Sequence, residues 1–191
     1  MLDVPVALAD PGRCSLGAVT QTTVYEMGVP ASCTDGFCGN VTQFVVDGAT
    51  LVVTDLIVEP LRRSGPDKLV PLSLVEAADD SVEIRCDLVD FDALADAEGA
   101  SLPSVSDTLP SGHLAVRGGQ PVHGTDGEVG KIRAVVVDAG SRRVTHILLQ
   151  EGHLWGKREV AIPWGSVTSL EGGVQLSLTI EAIKGLPAVP F

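Results

Sequence analysis

The chain has 191 residues, of which 45% are hydrophobic and 4% aromatic, and its formal net charge is −12 at pH 7. That length and apolar content allow a buried core, which excludes a chain that is disordered throughout. The excess of negative charge, with the lysines and arginines scattered along the chain, argues against a nucleic-acid partner because a phosphate backbone would be repelled.

The glycine and proline content and the shortness of the apolar runs indicate which secondary structure to expect and whether the chain spans a membrane. The chain contains 21 glycines and 12 prolines, which predicts short strands joined by turns rather than long helices. Every apolar run is interrupted before it reaches the roughly 18 residues that a membrane span needs, so we expect no span. The first residues, MLDVPVALADPG, lack the basic start of a secretory signal. We therefore expect a cytoplasmic protein whose four cysteines are reduced thiols.

In chain order, the predicted elements occur twice. Residues 28–59 align with residues 119–150 at a constant offset of 91, and eleven of the 32 aligned positions are identical. One inserted residue then shifts the offset to 92, after which VPLSLV (70–75) aligns with IPWGSV (162–167). The chain therefore consists of two copies of one structural unit, which we call the first unit and the second unit.

Each unit has the same predicted plan. A first strand leads through a proline to a short run and a Thr-Asp-Gly turn, and a series of apolar strands joined by hairpins follows. The predicted strands are 22–27, 41–46, 51–58, 69–71 and 82–86 in the first unit and 113–118, 132–137, 144–149, 159–163 and 174–178 in the second. A short helix closes each unit, with Asp87 and Thr179 as the expected N-caps.

This plan divides the chain into four parts. They are an N-terminal extension (1–19), a first barrel domain (20–94), a linker rich in Ala, Ser and Pro (95–111) and a second barrel domain (112–191). Short strands in a unit too small for two layers predict a closed barrel, because closure removes exposed strand edges. The predicted fold class is all-β with short helices, as two tandem small barrels that pack side by side about a pseudo-two-fold axis.

The second unit resembles the PRC-barrel family in its turn, its long strand and its proline-ended strand. The matching residues are Gly119, Pro121, Val122, Asp126, Gly127, Val129, Gly130, Lys131, Ile132, Asp138, Ile162, Pro163, Val167, Leu186 and Pro187. The first unit departs from the pattern at several positions, with Asn40 in place of the lysine. The resemblance implies the small barrel found in the photosynthetic reaction-centre H subunit and in the C-terminal domain of a ribosome-maturation factor.

The resemblance also implies a function. Barrels of this family dock on protein partners or on each other, and no catalytic residue set is common to them. We therefore expect a non-enzymatic protein-interaction or scaffold module that acts in assembly of a larger complex, for example in cell division, with no cofactor. The alternatives are a ribosome-maturation-type factor that binds a ribosomal protein and an accessory subunit of a photosynthetic or membrane complex. Homo-oligomers through barrel faces are a further expectation.

The segment TDGEVGKIRAVVVD (125–138) looks at first like a phosphate-binding loop. Such a loop needs Ser or Thr and a helix after its lysine, whereas Lys131 is followed by the apolar run of a strand. The first unit keeps the glycines but has Asn40 at the lysine position. We therefore predict a turn and a strand, in which Glu128 and Lys131 are the exposed, variable pair that a partner would contact.

Cysteines and histidines give two further expectations. If Asp35 and Gly36 form a two-residue turn, Cys33 lies directly opposite Cys38, and the pair is either two apolar thiols or a bridge that forms on oxidation. The four histidines show no metal-type spacing, so we predict no metal site.

The hairpin loop 152–158 of the second unit, GHLWGKR, places an apolar pair in polar surroundings. The matching loop of the first unit has no aromatic residue, so the shared fold does not require Trp155. Trp155 is therefore either an interface anchor or a cap on its own barrel end. The partner-binding residues predicted in this loop are Leu154, Trp155, Lys157 and Arg158.

Overall fold

A computed structural model describes residues 21–61, 65–78, 81–97, 112–151, 159–170 and 173–187. The described residues form two seven-stranded sheets and two short α-helices. The prediction of an all-β fold built from two units is therefore confirmed.

The first unit contains seven strands and one α-helix. They are β1 (Thr22–Glu26), β2 (Pro30–Cys33), β3 (Gly36–Asp47), β4 (Val53–Pro60), β5 (Lys68–Pro71), β6 (Val75–Ala78), β7 (Ser81–Ile84) and α1 (Leu88–Asp92). A single 3-10 turn, Leu72–Leu74, joins β5 to β6.

The second unit repeats this order. Its elements are β8 (His113–Arg117), β9 (Pro121–Gly124), β10 (Gly127–Asp138), β11 (Val144–Glu151), β12 (Glu159–Pro163), β13 (Val167–Ser169), β14 (Val174–Leu176) and α2 (Ile180–Lys184). The 3-10 turn Trp164–Ser166 joins β12 to β13 at the equivalent place.

The two sheets have the same strand order. One runs β5-β4-β3-β2-β7-β6 and the other β12-β11-β10-β9-β14-β13. In both, neighbouring strands are antiparallel except where β2 meets β7 and β9 meets β14, which pair in parallel. The long strands β3 and β10 bend at bulges, which lets one strand serve several neighbours.

The first strand of each unit pairs with the long strand of the other unit. β1 runs antiparallel to β10 with Val24 opposite Val136, and β8 runs antiparallel to β3 with Ala115 opposite Val45. The two pairings are equivalent, because Val24 and Val45 recur 91 positions later as Ala115 and Val136. The units are thus interlocked by a reciprocal strand exchange, which the sequence analysis did not predict.

A second reciprocal contact joins the tips of two hairpins. Leu51 and Arg142, at equivalent positions, are the non-glycine residues with positive φ among those described, at 61° and 56°. The amide of Val144 donates to the carbonyl of Leu51 (2.8 Å), and the amide of Val53 donates to the carbonyl of Arg142 (3.0 Å). Each left-handed residue therefore presents its carbonyl to the other unit.

One hydrophobic core extends through both units. Its members include Phe44 and Leu56 of the first unit and Val135 and Ile147 of the second, all fully buried. Tyr25 of β1 packs on Phe44 with ring centroids 5.9 Å apart, although β1 pairs with the other unit's sheet. Because the exchanged strand contributes to both units, the main core is shared by them, and two smaller apolar clusters lie apart from it on the sheets.

The helices begin at the predicted caps. The side chain of Asp87 accepts from the amide of Asp90 (2.8 Å), and the side chain of Thr179 accepts from Ala182 (3.1 Å). The Thr-Asp-Gly turns also hold these helices, since Asp35 accepts from the Leu88 amide (2.9 Å). Asp126 does the same for Ile180 in the second unit (2.8 Å).

Residues 95–97, which the sequence analysis placed at the start of the linker, pair with β5. The amide of Leu69 donates to the Ala95 carbonyl (2.9 Å), and the amide of Ala97 donates to the Asp67 carbonyl (2.7 Å). Lys68 forms an ion pair with Asp96 (2.7 Å). None of the described helices has the length and hydropathy to cross a bilayer.

Candidate functional site

A cleft lies where the two exchanged strands return to their own units. The amide of Met27 still donates to Arg133 of the second unit (2.9 Å), whereas the next amide, of Gly28, donates to Val41 of the first (2.7 Å). Gly28 has φ 82°, a conformation in which glycine avoids a steric cost and which permits this change of partner. The equivalent Gly119, with φ 74°, makes the same change in the opposite direction.

The cleft has a volume of about 620 Å³ and is lined by both units. Much of its wall consists of residues at equivalent repeat positions, such as Val41 and Ile132. Its charged and amide side chains are Gln43, Glu59 and Asp67 of the first unit and Arg117, Lys131, Arg133 and Gln150 of the second.

The two units contribute opposite charge to this cleft. Glu59 of the first unit corresponds to the neutral Gln150, and Lys131 of the second unit corresponds to the neutral Asn40. We therefore call the side chains of the first unit the acidic wall and those of the second unit the basic wall, although Arg117 lies opposite Gln43 where β8 pairs with β3. The apolar walls match between the units and the charges do not, so the repeated fold does not require this polarity.

Ion pairs fix one of the cations. Arg133 pairs with Glu26 of β1 (3.3 Å) and with Glu159 of β12. Because Glu26 precedes the strand crossing, this network also fastens the exchanged strand to the second unit. Lys131 is exposed and makes no ion pair with any other residue that the structure describes.

The acidic wall is electrostatically strained. Burial raises the pKa of Asp67 above its usual value, the nearby Glu59 carboxylate raises it further, and Arg117 acts in the opposite direction. The carboxylates of Asp67 and Glu59 thus lie near one another in the cleft, and Arg117 offsets part of their effect on each other. An arrangement of this kind favours binding of a cation.

The structure locates some of the predicted partner-binding residues. Lys131 lines the cleft, and Glu128 is exposed on β10 and is not among the residues that line the cleft. Leu154, Trp155, Lys157 and Arg158 lie outside the described residues.

Sequence reasoning missed the acidic side of the cleft. Gln43 lies on β3, Glu59 on β4 and Asp67 directly before β5, and these three strands are neighbours in the first unit's sheet. No motif marks the three residues. The available signal was the comparison of the two repeats, since Glu59 stands against Gln150 and Gln43 against Ala134. Positions that differ in charge between units with matching cores mark the surfaces on which the two units differ.

The predicted opposition of Cys33 and Cys38 is wrong. Cys33 lies opposite Gly36, because the turn is formed by Thr34 and Asp35 rather than by Asp35 and Gly36. The amide of Thr34 donates to the carbonyl of Cys86 (2.9 Å), which holds the turn in this register.

The thiols of Cys33, Cys38 and Cys86 nevertheless lie together at one end of the first unit and are free. Burial is the main cause that raises the pKa of Cys33 to about 12 and of Cys86 to about 11. These thiols therefore remain protonated at neutral pH and are poor nucleophiles. Within the described parts of the chain, no three His, Cys, Asp or Glu side chains are arranged to hold a metal ion.

Exposed apolar side chains also distinguish the units. Among the described residues, the large hydrophobic side chains that are exposed are Phe37, Leu61 and Val89, at 39%, 59% and 76%, and all belong to the first unit. The positions equivalent to Phe37 and Val89 hold Glu128 and Glu181. The first unit therefore presents apolar groups where the second presents carboxylates.

The segment 125–138 is a turn followed by a strand, as predicted. β10 begins at Gly127 and includes Lys131, so no helix N-terminus is available to bind phosphate there. Comparison with known families finds that residues 118–181 match the model of the PRC-barrel domain. No curated protein matches the chain.

Proposed function

Because residues 118–181 make the second unit a PRC-barrel domain, we propose that this protein is a non-enzymatic interaction module, a scaffold on which a larger complex assembles. Domains of this family are generally non-catalytic. The high pKa values of the buried thiols are consistent with the absence of a cysteine nucleophile at that end of the first unit. The role is that of an adaptor whose surfaces, rather than a reaction centre, carry the function.

The observation that carries this proposal is the cleft with one acidic and one basic wall. The core positions of the two units match, while the charges that line the cleft do not. Burial of the matching core positions does not require this difference in charge. We attribute it to recognition of a protein partner that contacts both units at once.

The hairpin loop 152–158 remains part of the proposal. A second contact region is proposed at Leu154, Trp155, Lys157 and Arg158, because tryptophan and arginine are enriched among the residues that anchor interfaces. The partners proposed are proteins, including further copies of this chain through barrel faces, rather than nucleic acids. The location proposed is the cytoplasm, where buried thiols stay reduced.

Affinity capture from a native lysate tests the proposal. The wild-type chain, Trp155→Ala and Lys131→Asn serve as baits, the last giving the second unit the residue that the first unit has at that position. We expect specific partners of the wild type to be lost or reduced with each variant. A partner list unchanged in both variants would remove these residues from the interface, and substrate turnover by the purified chain would overturn the non-enzymatic assignment.

A further inference from the structure

The acidic wall of the cleft has the composition of a site for a positively charged side chain. Asp67 and Glu59 lie close enough for Glu59 to disfavour ionisation of Asp67, and neither forms an ion pair with a residue that the structure describes. Arg117 offsets part of this effect on Asp67, and Arg133 is held by Glu26 and Glu159. A cation placed between the two carboxylates would relieve their repulsion.

A second observation points to a ligand independently of the charges. Gln43 lines the cleft and is only 3% exposed, yet its side-chain amide makes no hydrogen bond with a described residue. Among the described residues, no side-chain nitrogen or oxygen that is fully buried lacks a partner. The amide tip of Gln43 therefore reaches the open space of the cleft, where its donor and acceptor are available to a bound molecule.

The equivalent position shows that this glutamine is not a requirement of the fold. Ala134 stands there in the second unit and is fully buried in a small apolar cluster on the sheet. The repeated fold accepts alanine at this position. The glutamine therefore has a role that is specific to the first unit. A primary amide has one acceptor and two donors, which is the complement of a peptide group.

We propose that the cleft binds a peptide segment of a protein partner, which inserts a lysine or arginine side chain between Asp67 and Glu59 while its backbone pairs with the Gln43 amide. This inference rests on the proposed function and specifies the chemistry of the partner. A volume of about 620 Å³ accommodates a short segment rather than a whole domain face. The net charge of −12 steers a basic segment toward the chain and disfavours a second copy of it as the occupant.

Titration of the full chain with small probes, followed by NMR of the Gln43 side-chain amide, tests the proposal. The probes are acetyl-Gly-Arg-Gly-amide, the same peptide with citrulline in place of arginine, and spermidine. We expect the arginine peptide to shift the Gln43 resonances saturably and the uncharged citrulline peptide to leave them unchanged. Equal shifts from the two peptides would overturn the cationic requirement. Binding of spermidine as tight as that of the arginine peptide would overturn the assignment to a peptide.

Variants of the chain separate the two contributions. Asp67→Asn should weaken binding of the arginine peptide by about tenfold or more, since it removes a charge-assisted contact. Gln43→Ala, which copies the second unit, should weaken both the arginine peptide and its lysine analogue, and Glu83→Gln on the exposed face of β7 should change nothing. Unchanged affinity in both Asp67→Asn and Gln43→Ala would sink the proposal. The interaction function would still stand if lysate partners were lost with Trp155→Ala, so the two failures are distinguishable.

Discussion

At the scale of single residues, the ionised side chain of Asp67 lowers the stability of the unbound folded protein. Because its pKa is raised in the folded protein, ionisation penalises the folded state once the pH exceeds the unfolded value of about 3.9. The penalty is complete above the folded-state pKa and absent below the unfolded one. At neutral pH the ionised carboxylate of Asp67 therefore lowers the free energy of unfolding of the unbound protein, and a bound cation would reduce this effect.

Asp67→Asn should accordingly raise the free energy of unfolding at pH 7. The gain should be below about 1 kcal/mol, since the group is partly exposed and solvent screens it. It should vanish near pH 3, where both states of Asp67 are protonated. Urea denaturation at the two pH values measures it, with Glu83→Gln as the matched control. A loss of stability at pH 7 would show that Asp67 is compensated and would contradict the account of the cleft.

Single residues show the limits of sequence reasoning most clearly. The caps Asp87 and Thr179 were predicted correctly, because a cap acts within one turn of its own residue. The role of Asp35 was not predicted, since its carboxylate accepts a hydrogen bond from the amide of Leu88, more than fifty positions away. The cysteine register failed for the same reason, because a contact with Cys86 sets the turn. Local chemistry was predictable, and contacts made by distant segments were not.

At the scale of elements, the repeated glycine after each turn serves close packing rather than the turn. A Cβ added at Gly39 would collide with the backbone carbonyl of Glu59 on the neighbouring strand β4. Gly39 lies within β3 and the equivalent Gly130 within β10, so neither belongs to the Thr-Asp-Gly turn. At Gly39 the missing side chain allows β3 and β4 to approach closely.

Gly39→Ala should therefore destabilise the protein by about 1–3 kcal/mol, as expected when backbone must shift to accept an atom. Gly165→Ala is the matched control, because a Cβ at that position meets nothing within 4 Å. It should change the stability by no more than about 0.5 kcal/mol. Thermal or urea denaturation of the two variants measures both changes in stability. Equal effects of the two substitutions would contradict the close approach of β3 and β4.

At the scale of the whole molecule, the strand exchange could not be predicted from the pattern. The strands β1 and β8 pair with β10 and β3, and these long strands share the same Val-Val-Asp ending. Either first strand would satisfy either long strand, so hydrophobic periodicity gives the same prediction for both arrangements. The repeat, the fold class and the order of the elements along the chain followed from the sequence, while the order of the strands in the sheets, the strand exchange and the cleft did not.

Because the main core is shared, we expect a destabilising substitution in one unit to lower the stability of the other unit as well. Phe44→Ala, in the first unit, should cost about 3–5 kcal/mol because the ring is fully buried. Both tryptophans, Trp155 and Trp164, belong to the second unit, so their fluorescence is a probe placed outside the unit that carries the substitution. We expect the fluorescence midpoint in urea to fall together with the midpoint from circular dichroism, and Val89→Ala, at an exposed site, to leave both in place. An unshifted fluorescence transition in Phe44→Ala would mean that the units unfold separately.

The central claim is that the two units are interlocked by their first strands and that the cleft exists because of this crossing. Nuclear Overhauser effects between backbone protons of the full chain test it directly. We predict cross-strand effects between Val24 and Val136 and between Ala115 and Val45, as the observed register requires. Effects between Val24 and Val45, with none between Val24 and Val136, would show that each unit keeps its own first strand and would contradict the account.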